Sequence, residues 1–163
     1  MLSRTRISIF ITFLVALAVW VGGGVFDSIS SHPAWYANPA TYVRGTVVTE
    51  GTINPWPFTT AVMALCTLAV LAAFARYRGP GRREVLAAAL GTFVILVATG
   101  VYFVPTLMRL ADHAALSDAQ IASMSRMWMG LNVIRIILVL ALFVYGLIGL
   151  MRMGQPRLEP ARS

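Results

Sequence analysis

Met127–Met151, MWMGLNVIRIILVLALFVYGLIGLM, is a run of 25 residues that carries a single charge, at Arg135. A helix that crosses a membrane needs about 20 mostly apolar residues to cover ~30 Å of hydrocarbon. Only Ile136–Met151 is free of charge, and those 16 residues rise roughly 24 Å as a helix. The span must therefore extend past Arg135 toward the outer surface. That places the guanidinium about one helical turn below the boundary. An arginine so placed costs about 2.5–3.5 kcal/mol on insertion scales, less where it snorkels.

Working outward, three further runs meet the length criterion with no charge: Ile7–Phe26, Pro57–Ala75 and Val85–Leu107. The 163-residue chain is 58% hydrophobic and 12% charged, against about 25% charged in soluble domains. The expected fold is an all-α four-helix transmembrane bundle with a long outer first loop and an extended fourth helix. One domain is expected over residues 1–154, with a short polar tail at 155–163. Arg4 and Arg6 before the first run resemble a signal-peptide leader, but the apolar stretch exceeds the usual 7–15 residues. It is read as a retained span.

Arginine placement orients the spans. All 13 basic residues are arginine, so lysine chemistry such as a Schiff base is excluded. Arg4 and Arg6, Arg76, Arg78, Arg82 and Arg83, and Arg152, Arg157 and Arg162 fall on one side. Both termini are thus expected in the cytoplasm of a multi-pass cell-membrane protein, with the lipid bilayer as the main partner. The net charge of +7 reads as this orientation signal and not as a nucleic-acid surface. Oligomeric state is not encoded in any visible feature. Cys66, alone in an apolar run, reads as a packing residue.

The long connections carry their own signals. Asn38-Pro39 fits an N-cap with proline at the first helical position, so a short interfacial helix is expected from about Ala40. The alternating threonines and valines of Thr46–Thr49 fit a strand equally well. Ser117 and Gln120 form a capping box, starting the fourth helix near Asp118 and carrying it to about Met153.

Polar groups gather at the outer ends. Ser125, Trp128, Asn132 and Arg135 follow one another at spacings of three and four, one stripe of the fourth helix. Asp27 ends the first span at the depth of Arg135 and is a candidate partner for it. Thr59 and Thr60 open the second span there, and Thr99 and Tyr102 close the third. Gly22-Gly23-Gly24 would permit close helix approach. Asp27, His32, Asp112 and His113 lack a recognised metal-ligand spacing, and no histidine lies within a span to hold a haem. No metal or organic cofactor is expected.

Two stretches resemble the anthrone oxygenase-like membrane family. One is Gly24-Val25-Phe26-Asp27 through His32-Pro33-Ala34-Trp35 and Asn38-Pro39. The other is Trp128-x-x-x-Asn132-x-x-Arg135, preceded by Phe103-Val104-Pro105. The chain departs from the family at Asp27, where glutamate is common, and at Met127, where arginine is. The resemblance implies four spans and oxidation of an anthrone by molecular oxygen as co-substrate, without metal or flavin. Such chemistry needs a base, a cation for an oxyanion and an apolar slot. His32 or Asp27 would be the base, Arg135 and Asn132 the oxyanion holders, and Trp35, Tyr102 and Trp128 the walls around a hydrophobic aromatic molecule. The competing reading is a non-catalytic protein that binds a lipid or partner helix through the same polar cluster. A channel or transporter fits least, because the inner halves of the spans are apolar. An enzyme should have a cavity beside Arg135; a structural protein should have Arg135 paired with Asp27 and no void.

Overall fold

The structure, a computed structural model, describes residues 4–30, 32–45 and 56–154. The described residues are almost wholly helical: α1 (Arg4–Ser30), α2 (His32–Ala37), α3 (Pro39–Gly45), α4 (Trp56–Phe74), α5 (Arg82–Ala98), α6 (Val104–Ala111) and α7 (Asp118–Gly154). Thr46–Thr49 and the tail expected at 155–163 lie outside the described residues.

Four helical segments are long and apolar enough to cross a membrane: α1, α4, the run Arg82–Ala111 and α7. They pack in a ring, α1 against α4 and α7, and α5 against α4 and α7. Only 17–33% of the most apolar window of each is buried inside the protein. Val19, Phe26, Leu65, Val94, Val101 and Ile137 instead face outward. An apolar exterior of this extent is the signature of lipid contact.

α5 and α6 form one continuous span through a π-helical turn at Thr99–Phe103. Pro105 explains the turn. It has no N–H to donate, and its ring crowds the carbonyl four residues before it. The backbone widens just ahead of it, so that the Val104 amide reaches back five residues to the Thr99 carbonyl. The α7 start follows the capping box: the Ser117 amide donates to Gln120 Oε1 (2.9 Å), and the Gln120 amide to Ser117 Oγ (3.3 Å). Its 37 residues rise roughly 55 Å, well beyond a hydrocarbon core. The projecting turns are held by Arg44 of α3, which pairs with Asp118 (2.8 Å) and donates to the Leu116 carbonyl.

Two apolar clusters fill the bundle. One, around Phe10, Phe13, Leu17, Met63 and Phe74, lies toward the arginine-rich end. The other, around Trp35, Phe103, Leu110, Ile121 and Trp128, lies toward α2 and α3. At the arginine-rich end, Arg6 Nε donates to the Ala73 carbonyl (3.1 Å) and Arg82 Nη2 to the Ala75 carbonyl (3.2 Å). These bonds satisfy carbonyls left open where α4 ends.

Gly81, just before α5, has φ +76°, and a Cβ there would lie 2.4 Å from the Gly149 carbonyl oxygen of α7. Both the left-handed backbone and the close approach demand glycine. Gly81→Ala is therefore expected to destabilise the protein by at least ~2 kcal/mol, read as a fall in Tm of the purified protein of roughly 4–8 °C. Gly130→Ala is the control. Nothing lies within 4 Å of a Cβ there, so Tm should hold or rise. Equal behaviour of the two variants would contradict this account.

Candidate functional site

A cavity of about 420 Å³ lies where the two apolar clusters meet. Its size falls in the ~300–1,000 Å³ range of small-molecule sites. All four long segments contribute. α1 supplies Trp20, Gly24 and Asp27, and α4 supplies Trp56 and Thr60. The π turn presents Thr99 and Phe103, and α7 presents Trp128, Asn132 and Arg135. His32, the first residue of α2, completes the wall.

The π turn matters to this arrangement. A uniform α-helix places residues 99 and 103 on one face, and the residues after them on a face set by 100° per residue. Val104, Leu107 and Met108 of α6, which follows the π turn, also line the cavity. The α7 stripe read from the sequence is the buried face of that helix: Ser125, Trp128 and Asn132 are all buried.

Arg135 has no carboxylate partner among the described residues. Its Nη1 donates to Thr99 Oγ1 (3.3 Å), whose own hydroxyl donates to the Ile95 carbonyl (2.8 Å). The guanidinium carbon sits 4.5 Å from the Phe103 ring centroid and 5.6 Å from that of Trp20. Cation–π contact of this kind offsets only part of the desolvation of a charge. The expected Arg135–Asp27 pair is not formed. Asp27 Oδ2 accepts instead from Trp56 Nε1 (2.8 Å), so the start of α4 takes the carboxylate that depth alone had assigned to α7.

Two buried polar atoms on this wall lack hydrogen bonds: Trp20 Nε1 and Asn132 Oδ1. Buried groups without partners are rare and ask for an explanation. Both belong to residues that line the cavity, beside a cation with no carboxylate partner among the described residues. Burial pushes the His32 pKa below its ordinary 6.5; the Asp27 carboxylate opposes that shift, and the Arg135 guanidinium adds to it. The imidazole stands edge-on to Trp128, with ring centroids 5.8 Å apart. It is therefore neutral at pH 7, with a basic nitrogen available.

Asp27, His32, Trp128, Asn132 and Arg135 thus converge on one cavity. Trp35 and Tyr102 do not line it. Trp35 lies behind Trp128, its ring centroid 5.3 Å away, and donates Nε1 to Ser125 Oγ (3.0 Å). Tyr102 packs edge-on against Phe103. The aromatic wall is formed by Trp20, Trp56, Phe103 and Trp128. Trp20 is absent from the sequence reading, and Phe103 entered it only within the Phe103-Val104-Pro105 stretch, with no wall role. Trp20 was detectable, since Trp20, Gly24 and Asp27 share one face at spacings of four and three. Of the glycine run, Gly23 and Gly24 make close approaches: a Cβ would lie 3.2 Å from Trp56 and 3.3 Å from Ile136, respectively, whereas Gly22 faces open space. The set Asp27, His32, Asp112 and His113 does not assemble; among the described residues no three His, Cys, Asp or Glu side chains converge.

A family model described as anthrone oxygenase matches residues 55–145, more than half of the chain. The match takes in α4, α5, α6 and most of α7, and hence Thr99, Phe103, Trp128, Asn132 and Arg135. Trp20, Asp27 and His32 precede it. No curated protein and no solved structure matches the chain.

Proposed function

The chain belongs to the anthrone oxygenase family, and on that footing we propose that it oxidises a hydrophobic, hydroxylated aromatic ketone of the anthrone type with molecular oxygen in the cavity beside Arg135. The orientation that goes with this reading places both termini in the cytoplasm and the cavity in the outer half of the membrane, following the arginine distribution.

The observation that carries the proposal is the unpaired guanidinium in an apolar, aromatic-walled cavity. A buried cation without a counter-charge is stabilised when a ligand brings negative charge to it. An anthrone does so during reaction. Its CH2 group lies across the ring from the carbonyl, and removing one proton sends the electron pair to that carbonyl oxygen. The product is an aromatic oxyanion. Arg135 is a donor for it, with Asn132 one turn away on the same helix.

His32 is the base in this scheme. Asp27 is committed to Trp56 Nε1, while His32 makes no hydrogen bond among the described residues. The carbanion-like position of the oxyanion then reduces oxygen and bonds to it, giving a hydroperoxide after proton return. Loss of the second C–H proton as the O–O bond breaks forms the new carbonyl and releases water. Two hydrogens leave the carbon, one oxygen atom stays on it and the other departs in the water, so one O2 is consumed per turnover. A structural protein should have Arg135 paired with Asp27 and no void; that Arg135 has no carboxylate partner among the described residues and lines a cavity supports the catalytic reading.

Oxygen uptake by the purified protein with a hydroxylated anthrone tests the reading, measured across pH. Activity should require neutral His32 and so rise with pH, the midpoint lying below 6.5 because burial favours the uncharged ring. Asp27→Asn removes the charge that raises this pKa, so the midpoint should move to lower pH with activity retained. Complete loss in Asp27→Asn, with a normal profile in His32→Ala, would make Asp27 the base. No uptake by the wild-type protein would remove the proposal altogether.

A further inference from the structure

At the opposite end of the bundle, the turn between α4 and α5 and the end of α7 enclose an open groove of about 620 Å³. We propose that this groove binds a phosphate group, as carried by an anionic phospholipid headgroup or by free phosphate.

Four guanidinium groups line it, from Arg78, Arg82, Arg83 and Arg152, against the one carboxylate of Glu84. Glu84 is buried and pairs with Arg152. Arg78 and Arg83 make no ion pair or hydrogen bond among the described residues. Arg82 is anchored through Nη2 on the Ala75 carbonyl, and its Nε is buried without a partner. Arginine forks match phosphate oxygens in pairs, which a general cloud of positive charge does not.

The backbone reinforces the side chains. The groove lies at the N-terminus of α5, a 17-residue helix whose N-cap, Gly81, has no side chain to satisfy the first-turn amides. The Arg82 amide donates to the Gly79 carbonyl (3.3 Å); the remaining first-turn amides and the helix dipole favour an anion at this end. The geometry is fixed by the contact of Gly81 with the Gly149 backbone, which holds the α5 start against the last turns of α7. Arg152 is thereby delivered into the groove from a separate helix. The location also suits a lipid. The groove sits at the ends of spanning helices, beside the Ala73 and Ala75 carbonyls that Arg6 and Arg82 cap, at the level where headgroup phosphates lie.

Native mass spectrometry of the purified full chain, titrated with phosphatidylglycerol and separately with phosphatidylcholine, tests this. The wild type should hold phosphatidylglycerol about tenfold more tightly. Arg82→Gln/Arg83→Gln should lose that preference. So should Arg83→Gln alone in large part, and because Arg83 is exposed and makes no internal contact this variant keeps the fold. Arg109→Gln, at the other end of the bundle, should keep the preference. A parallel titration adds inorganic phosphate. Displacement of the lipid at millimolar phosphate identifies free phosphate as a ligand, and no displacement identifies the lipid headgroup. Equal retention of the two lipids by the wild type with no effect of phosphate would overturn the proposal, as would equal retention of phosphatidylglycerol by the wild type and both groove variants.

Discussion

Arg135→Met is expected to lower oxygen uptake on an accepted anthrone by about 10²–10³-fold, the usual loss for one oxyanion donor, while raising the thermal stability of the protein. The two effects have opposite signs if, as proposed, Arg135 serves the reaction and not the fold. Its guanidinium has one hydrogen bond, to Thr99 Oγ1, and two aromatic faces, but no carboxylate. Its presence in the span carries an insertion cost of about 2.5–3.5 kcal/mol. Methionine fills the space of the aliphatic stem without the charge, and Thr99 keeps its bond to the Ile95 carbonyl. Removing an uncompensated charge is stabilising in such a setting. Arg135→Lys separates charge from shape. A compact ammonium retains the attraction for an oxyanion but not the flat contact with Phe103, so activity should fall by less than in Arg135→Met. A variant that unfolds more easily and oxidises normally would show that Arg135 is a structural cation, and the cavity would lose its role.

The sequence reached the fold through one short calculation on Arg135 and one on arginine placement, since span lengths depend only on local composition. The four spans, the Asn38-Pro39 helix start and the Ser117–Gln120 cap all follow from neighbours in the chain. The α7 stripe was legible for the same reason: spacings of three and four determine a face without knowledge of what faces it. What the sequence could not give is which residue across the bundle meets that face. Asp27 and Arg135 share a depth, but rotation of α1 about its axis decides whether Asp27 reaches α7 or α4, and Trp56 won that contact. Trp35 and Tyr102 show the same limit. Each is at the right level, yet Trp35 donates its indole N–H to Ser125 and Tyr102 packs against Phe103, and neither lines the cavity. Pro105 lies inside the run Val85–Leu107, which the sequence reading took as one uninterrupted span, so the π turn at Thr99–Phe103 was not foreseen.

Trp128→Ala is the second large effect, and here stability and cavity shape change together. Trp128 is buried among Trp35, Phe103 and His32, with ring centroids 5.3–5.8 Å away. Truncating a buried tryptophan costs about 3–5 kcal/mol, which for a chain of this size is a fall in Tm of roughly 6–20 °C. Part of the loss is polar. Trp128 Nε1 donates to the Phe103 carbonyl (3.1 Å), at the junction between the π turn and α6. Trp128→Phe keeps the six-membered ring but loses the rest of the indole and its donor, so it should lose about 1–3 kcal/mol, less than full truncation. The difference between the two variants measures the packing of the six-membered ring. Indole supplied to Trp128→Ala refills a ring-sized void with both a flat face and an N–H. It should therefore restore Tm toward the wild-type value, whereas benzene, without the donor, should restore it only to about the level of Trp128→Phe. If neither compound raises Tm, the void collapses on truncation, and Trp128 is then not the rigid wall against which a planar substrate would be held.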